Sequence, residues 1–265
     1  MADKVLFEKK GRTAIVTINR PEAMNAYDTE TMQLIAAYGS RIMHDPDLWT
    51  VIVTGAGDKA FSAGSDMKQV NTEYVEGRTL FGYFNPLESQ SGHLWRYPPT
   101  VNKPIICAIN GYCVGGGLEI ALRTDIRIAA ENAIFEVSEP KRGMIPGTTP
   151  AMFPRVVPHN IALELMLTCR RFDAQEAYRI GFVNKVVPLA ELMPAALAMA
   201  DEINANAPLA IRAEKTIAYN GMSLPLSEAL AQGSRMLREV ILPTEDSKEG
   251  TRAFVEKRKP VWKAR

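Results

Sequence analysis

Along its first two-thirds the chain alternates short apolar runs with stretches whose apolar residues recur every three or four positions. Residues 5–8, 13–19, 50–54, 104–109, 125–129, 133–136 and 183–187 are brief and rich in β-branched side chains, which predicts strands. Between the second and third runs lies 28–44. There Met32, Ile35, Ala36, Ile42 and Met43 share one face at helical spacing, which predicts an amphipathic helix. Strands alternating with helices predict an α/β fold. After Pro188 the strand signal stops, and 189–204, 208–219, 224–241 and 245–257 all carry helical patterns. Pro208 stands where a first-turn proline is tolerated, and Gly221 follows as a stop signal. The chain therefore divides near residue 205, into a core of residues 1–204 and a helical region of residues 205–265. Leu226, Leu230, Leu237 and Ile241 form an apolar stripe on the third of these helices, for packing on the core or on another subunit. The stretch 71–101 follows neither pattern. It carries Tyr74, Phe81, Tyr83, Phe84, Trp95 and Tyr97, and is expected as a lid or as an ordinary packed excursion.

Composition narrows the function classes. The chain has 265 residues, is 46% hydrophobic and 23% charged, and carries a net charge of +1, so one or two globular domains with a full core are expected. That balance gives no support for nucleic-acid or membrane binding. The opening MADKVLFEKKG lacks a signal peptide's apolar core, and no run approaches the roughly 18 apolar residues of a membrane span. Cys107, Cys113 and Cys169 are an odd count and are read as free thiols in a reducing, cytoplasmic setting. The histidines, His44, His93 and His159, are scattered, and no His/Cys cluster implies a metal.

The chemistry gathers in three places. Gly111-Tyr112-Cys113-Val114-Gly115-Gly116-Gly117-Leu118-Glu119 follows an apolar strand and opens a short helix. Bare backbone there admits a ligand, and unpaired N–H groups at a helix start suit an anionic oxygen, although a plain tight turn has the same spelling. A second turn, Ala60-Phe61-Ser62-Ala63-Gly64-Ser65-Asp66-Met67, also follows a strand. Two such turns can supply one N–H each to a single oxygen; equally, Asp66 can cap a helix. The third place is a pair of carboxylates. Glu119 lies in a first helical turn, where the helix dipole alone would favour it, and Glu139 lies beside Lys141 and Arg142, where a surface ion pair is the plainer reading. Were both in one pocket, they could act as acid and base on one water.

These residues, in this order and spacing, resemble the crotonase, or enoyl-CoA hydratase/isomerase, superfamily. The resemblance runs nearly end to end: Ile18-Asn19-Arg20-Pro21 with Met24-Asn25-Ala26, then AFSAGSDM, NGYCVGGGLEIAL, FEVSEPKRGMIPG and GTRAFVEKRKPVW. It implies a crotonase-like spiral of ββα units with a helical C-terminal region, assembled as a homotrimer or homohexamer. It implies that the N–H groups at Ala63 and Gly116 form the oxyanion hole. Glu119 and Glu139 are then the catalytic glutamates, and Gly64, Ser65, Asp66, Met67 and Gly147 line the substrate site. The resemblance further implies that Lys257 can reach a phosphate of bound CoA. There are departures: Thr148-Thr149-Pro150-Ala151-Met152 replaces a common Gly-Gly-Thr-Gln-like run, and Ser138 stands where proline often precedes the second glutamate.

The reaction so implied is reversible addition of water to a trans-2-enoyl-CoA, giving a 3-hydroxyacyl-CoA. The expected enzyme is a lyase with no cofactor beyond the coenzyme A of its substrate. Other crotonase reactions remain open: double-bond isomerisation, dehydration of a specialised hydroxyacyl-CoA, and hydration coupled to aldol cleavage. A non-catalytic RNA-binding member of the fold is the alternative from another class.

Overall fold

The computed structural model describes residues 3–75 and 101–265; most of the aromatic stretch singled out above lies outside the described residues. Its frame is three successive turns of strand, strand and helix or helical turn. The first is β3 (Thr50–Gly55), β4 (Ala60–Ser62) and the helix Met67–Val75. The second is β5 (Ile105–Ile109), β6 (Tyr112–Val114) and the helix Gly116–Leu122. The third is β7 (Ile126–Ala130), β8 (Ile134–Glu136) and a single helical turn, Glu139–Arg142. Each turn adds one strand to each of two sheets. The larger sheet has the order β1 (Val5–Lys10), β2 (Thr13–Ile18), β3, β5, β7, β10 (Lys185–Val187). The smaller runs β4, β6, β8, β9 (Phe172–Asp173). β1 and β2 form an antiparallel hairpin, and from β2 onward the large sheet is parallel.

The apolar runs are continuous because both faces of the parallel strands are covered. Val51, Val53, Ile105, Cys107 and Ile109 turn toward the smaller sheet and the helix Thr29–His44. Ile52, Ile106, Ala108, Ile128 and Ala130 turn the other way and pack on Leu192, Ala196 and Ala200 of the helix Leu192–Asn204. The helix Thr29–His44 begins where Asp28 accepts from Thr31 N. At its far end, Lys103 Nζ donates to the carbonyls of Ile42 and Asp45 (2.5 and 2.6 Å).

Several elements are absent from the sequence reading: the short strands β4, β6 and β9, and the helices Thr149–Val156, His159–Thr168 and Ala174–Arg179. The expected helix over 224–241 starts at Leu226, and its last turn, Met236–Ile241, widens into a π-helix. Gly221 is the last residue of Pro208–Gly221 rather than a stop beyond it. Among the described residues no helix is long and apolar enough to cross a membrane.

Candidate active site

The smaller sheet ends where three loops converge: the turn after β4, the glycine run after β6 and the segment after β8. The first is held from the side by Met24-Asn25-Ala26. Asn25 is fully buried in a left-handed conformation (φ 54°). Its Nδ2 donates to Ala56 O (2.9 Å) and Ala60 O (2.6 Å), and its Oδ1 accepts from Arg20 N (2.9 Å). Ser62 Oγ donates to Asn25 O (2.8 Å). Tyr27 N donates to Gly64 O and Tyr27 O accepts from Asp66 N, both at 2.9 Å, so the turn is clamped on either side of Ser65.

Those bonds decide which N–H groups are open to a ligand. Ala63 N donates to Met24 O at 3.0 Å, so this expected oxyanion donor is already committed to the protein. Gly64 N donates to Ser62 Oγ. The N–H of Ser65 has no acceptor among the described residues, nor does that of Gly116 at the start of its helix. The two turns are in contact: a Cβ on Gly64 would stand 2.7 Å from Gly116 N, and the φ of +88° at Gly64 independently requires glycine. A Cβ on Gly116 would overlap the Tyr27 hydroxyl, at 1.9 Å. Ser65, placed above only among the substrate-lining residues, is therefore the better geometric match to the role expected of Ala63. The Met24 carbonyl, which takes the Ala63 N–H and leaves that of Ser65 open, tells the two apart.

Both glutamates reach this place. Glu119, 8% exposed, lies in the first turn of Gly116–Leu122. Its Oε1 accepts from Thr148 N (2.6 Å), Thr148 Oγ1 (2.7 Å) and Thr149 N (3.3 Å). Glu139 opens the single turn after β8, and its Oε1 lies 3.1 Å from the point a Cβ on Gly115 would occupy. Its Oε2 is buried with no hydrogen-bond partner among the described residues. Burial pushes the Glu139 carboxyl above the ordinary glutamate range, and the negative charge of Glu119 adds to this against the pull of nearby N–H groups and Arg142. The expected surface pairing of Glu139 with Lys141 is absent, because Lys141 Nζ instead binds Glu136 (2.7 Å), which Arg171 also holds (2.8 Å). Tyr27 completes the enclosure. Burial, then the charge of Glu119, drives its phenol well above the usual range, while a hydrogen bond with the Ser65 side chain opposes.

The other expected residues serve the frame or lie apart. Asp66 pairs with Arg20 (2.8 Å) and accepts from Lys68 N (3.1 Å) at the start of Met67–Val75, which is capping rather than ligand contact. Burial works against its ionisation, yet the Arg20 and backbone hydrogen bonds hold its carboxyl below the usual range. Met67 begins that helix, and Gly147 leads into the Thr148 turn over Glu119. Lys257 is exposed past the helix Glu245–Val255 and makes no contact with the glutamates among the described residues.

Two open N–H groups beside two enclosed carboxyls can hold a developing oxyanion and move protons on a water next to it. Comparison with known proteins gives the same direction. The family described as enoyl-CoA hydratase/isomerase matches residues 8–265. The chain is 41% identical over 261 residues to the short-chain-enoyl-CoA hydratase of Clostridium acetobutylicum, covering 97% of this chain and 96% of that one. It is 38% identical over 269 residues to the carnitinyl-CoA dehydratase of Escherichia coli, with 100% of both covered. The structure of a probable enoyl-CoA hydratase/isomerase from Mycobacterium abscessus superposes with a TM-score of 0.88 at 37% identity, again over 100% of both chains. The match over residues 8–265, the identity to these relatives and the shared fold make this chain a member of the crotonase, or enoyl-CoA hydratase/isomerase, family.

Proposed function

We propose that this chain is an enoyl-CoA hydratase, adding water reversibly across a trans-2-enoyl-CoA. The observation that carries the reading is the inequality of the two glutamates. Glu119 is held as an acceptor by three donors on one oxygen, whereas Glu139 is desolvated, with a buried oxygen left open and a raised proton affinity. Glu119 takes a proton from the water as its oxygen bonds to C3. Charge moves onto the thioester oxygen, where the N–H groups of Ser65 and Gly116 receive it; one such donor is worth about 10²–10³ in rate. Glu139 then delivers its proton to C2, and a proton passed from Glu119 to Glu139 restores the starting state. Positioned acid–base catalysis of this kind contributes about 10²–10⁴-fold.

The same atoms run in reverse perform dehydration, and the 38% identity to a carnitinyl-CoA dehydratase supports testing that direction too. A panel of straight, branched and aromatic enoyl-CoA thioesters, followed by loss of enoyl absorbance, tests the reading and names the acyl group. At least one member should be hydrated, and Glu119→Gln should abolish that turnover while remaining folded. A Glu119→Gln enzyme as active as the wild type would overturn the mechanism.

Assembly as a trimer or hexamer belongs to the same proposal, through the helical region 205–265. Leu226 is 75% exposed, Phe254 86% and Val255 74% in the single chain, an apolar surface that a subunit contact would cover. Lys257 follows directly, and its ammonium group would suit a CoA phosphate in such an assembly.

A further inference from the structure

Glu119 uses its two oxygens differently. All three of its hydrogen bonds fall on Oε1, and Oε2 has no partner among the described residues. The donor that matters is the Thr148 hydroxyl. Thr148 begins the helix Thr149–Val156, where a threonine hydroxyl would ordinarily accept from that helix's own N–H groups, and it makes no such cap bond. It donates to Glu119 at 2.7 Å and accepts from Arg123 Nη2 at 3.2 Å. Arg123 stands four residues after Glu119, at the end of the same helix, so both side chains lie on one face. No ion pair joins Arg123 to Glu119 among the described residues; their link runs through Thr148.

A guanidinium has only donors, and a hydroxyl has one proton. Once Arg123 donates to the Thr148 oxygen, the hydroxyl proton has one place left to go, which is Glu119 Oε1. The direction of the chain is set from Arg123 to Thr148 to Glu119. It has a chemical consequence. An oxygen that already faces three donors cannot also carry a proton without turning a donor against a donor. When Glu119 receives a proton, that proton is confined to Oε2. Arg123 is kept largely buried with its Nε unpartnered, a costly arrangement that brings no ion pair in return among the described residues.

We propose that Arg123 and Thr148 are positioning residues for Glu119, forming a one-way hydrogen-bond relay that pins Oε1 and reserves Oε2 for the reacting water. This rests on the hydratase reading for its effect on rate, but not for the relay itself. It concerns the threonine hydroxyl and the arginine, not the Thr148 and Thr149 backbone N–H groups, which any residue at those positions would supply.

Thr148→Val removes the hydroxyl and keeps the backbone. It should lower kcat on the order of 10²-fold through a loosened carboxylate, with KM for the enoyl-CoA within about twofold, since no contact to CoA is touched. Thr148→Ser should restore most of the loss. Arg123→Met should lower kcat less, and Thr148→Val/Arg123→Met should be no slower than Thr148→Val, because the arginine acts only through the hydroxyl. The carboxyl carbon shift of Glu119, read at one pH by carbon-13 NMR of labelled glutamate and assigned with Glu119→Gln, gives a readout without turnover. Loss of the hydroxyl donor to Oε1 should move that shift in Thr148→Val and return it in Thr148→Ser. An unmoved shift, or a Thr148→Val enzyme with wild-type kcat, would sink the relay. The hydratase reading fails separately, if Glu119→Gln keeps its activity or no enoyl-CoA is hydrated, and in that case the carboxyl shift still decides the relay.

Discussion

Gly64→Ala tests the oxyanion site directly, because two penalties at this position can be separated. The first is conformational: at φ +88° an alanine is strained by about 1–3 kcal/mol. The second is steric. The new Cβ would stand 2.7 Å from Gly116 N and 3.2 Å from Val114 O, both backbone atoms that no rotamer change can move, while ordinary contact begins at 3.4 Å. The two turns must part by several tenths of an ångström, which takes the Ser65 and Gly116 N–H groups off a common oxygen. Loss of one donor corresponds to a fall of about 10²–10³ in kcat. Gly11→Ala is the control: Gly11 has φ +58° and nothing within 4 Å of a Cβ, so it carries strain without closure. Urea denaturation should show Gly11→Ala destabilised by its strain alone and Gly64→Ala by more, with only Gly64→Ala losing enoyl-CoA hydration. Equal activity in the two folded variants would refute the assignment of the hole to these turns.

Three further outcomes are expected. Glu139→Gln should lose hydration yet melt higher than wild type at neutral pH: a carboxyl whose folded proton affinity is raised loses stability as pH climbs through its folded range, and glutamine has no charge to desolvate. The gain should vanish as the pH falls below the ordinary glutamate value of 4.5, where both states are protonated, and a gain that is constant with pH would contradict it. Asn25→Ala deletes the three hydrogen bonds of a buried side chain at a left-handed position and should cost about 2–4 kcal/mol in chemical denaturation, with activity lost as the turn at 60–65 drifts; a loss under about 1 kcal/mol would show that the turn holds itself. Lys257→Ala should raise KM for acyl-CoA at low salt with kcat unchanged, and sedimentation should show a trimer or hexamer; a monomer at micromolar concentration would count against the assembly.

Much of this protein was legible as sequence. Strands β2, β3, β5 and β7 are visible because both their faces are buried, which makes each an unbroken apolar run. The helix Thr29–His44 announces itself through its apolar stripe. The glutamate pair was legible only through the family resemblance, since spacing alone left Glu119 open to a helix-dipole role and Glu139 to a surface ion pair. Strands β4, β6 and β9 were not legible: at two or three residues they are shorter than any period, and they exist because neighbours already in place offer them hydrogen bonds. The helix Thr149–Val156 was hidden by Pro150 and Pro154, which read as breakers. What only the tertiary structure decided is who bonds to whom inside the site. Spelling offers Ala63, Gly64 and Ser65 as equivalent small residues in a turn. A carbonyl from Met24, some forty residues earlier, takes the first N–H, the Ser62 hydroxyl takes the second, and the third is left open. The partners of Glu119 are decided in the same way, by a threonine delivered from 29 positions away. A sequence can record which groups are able to donate, but a donor remains available only if folding brings no acceptor to it.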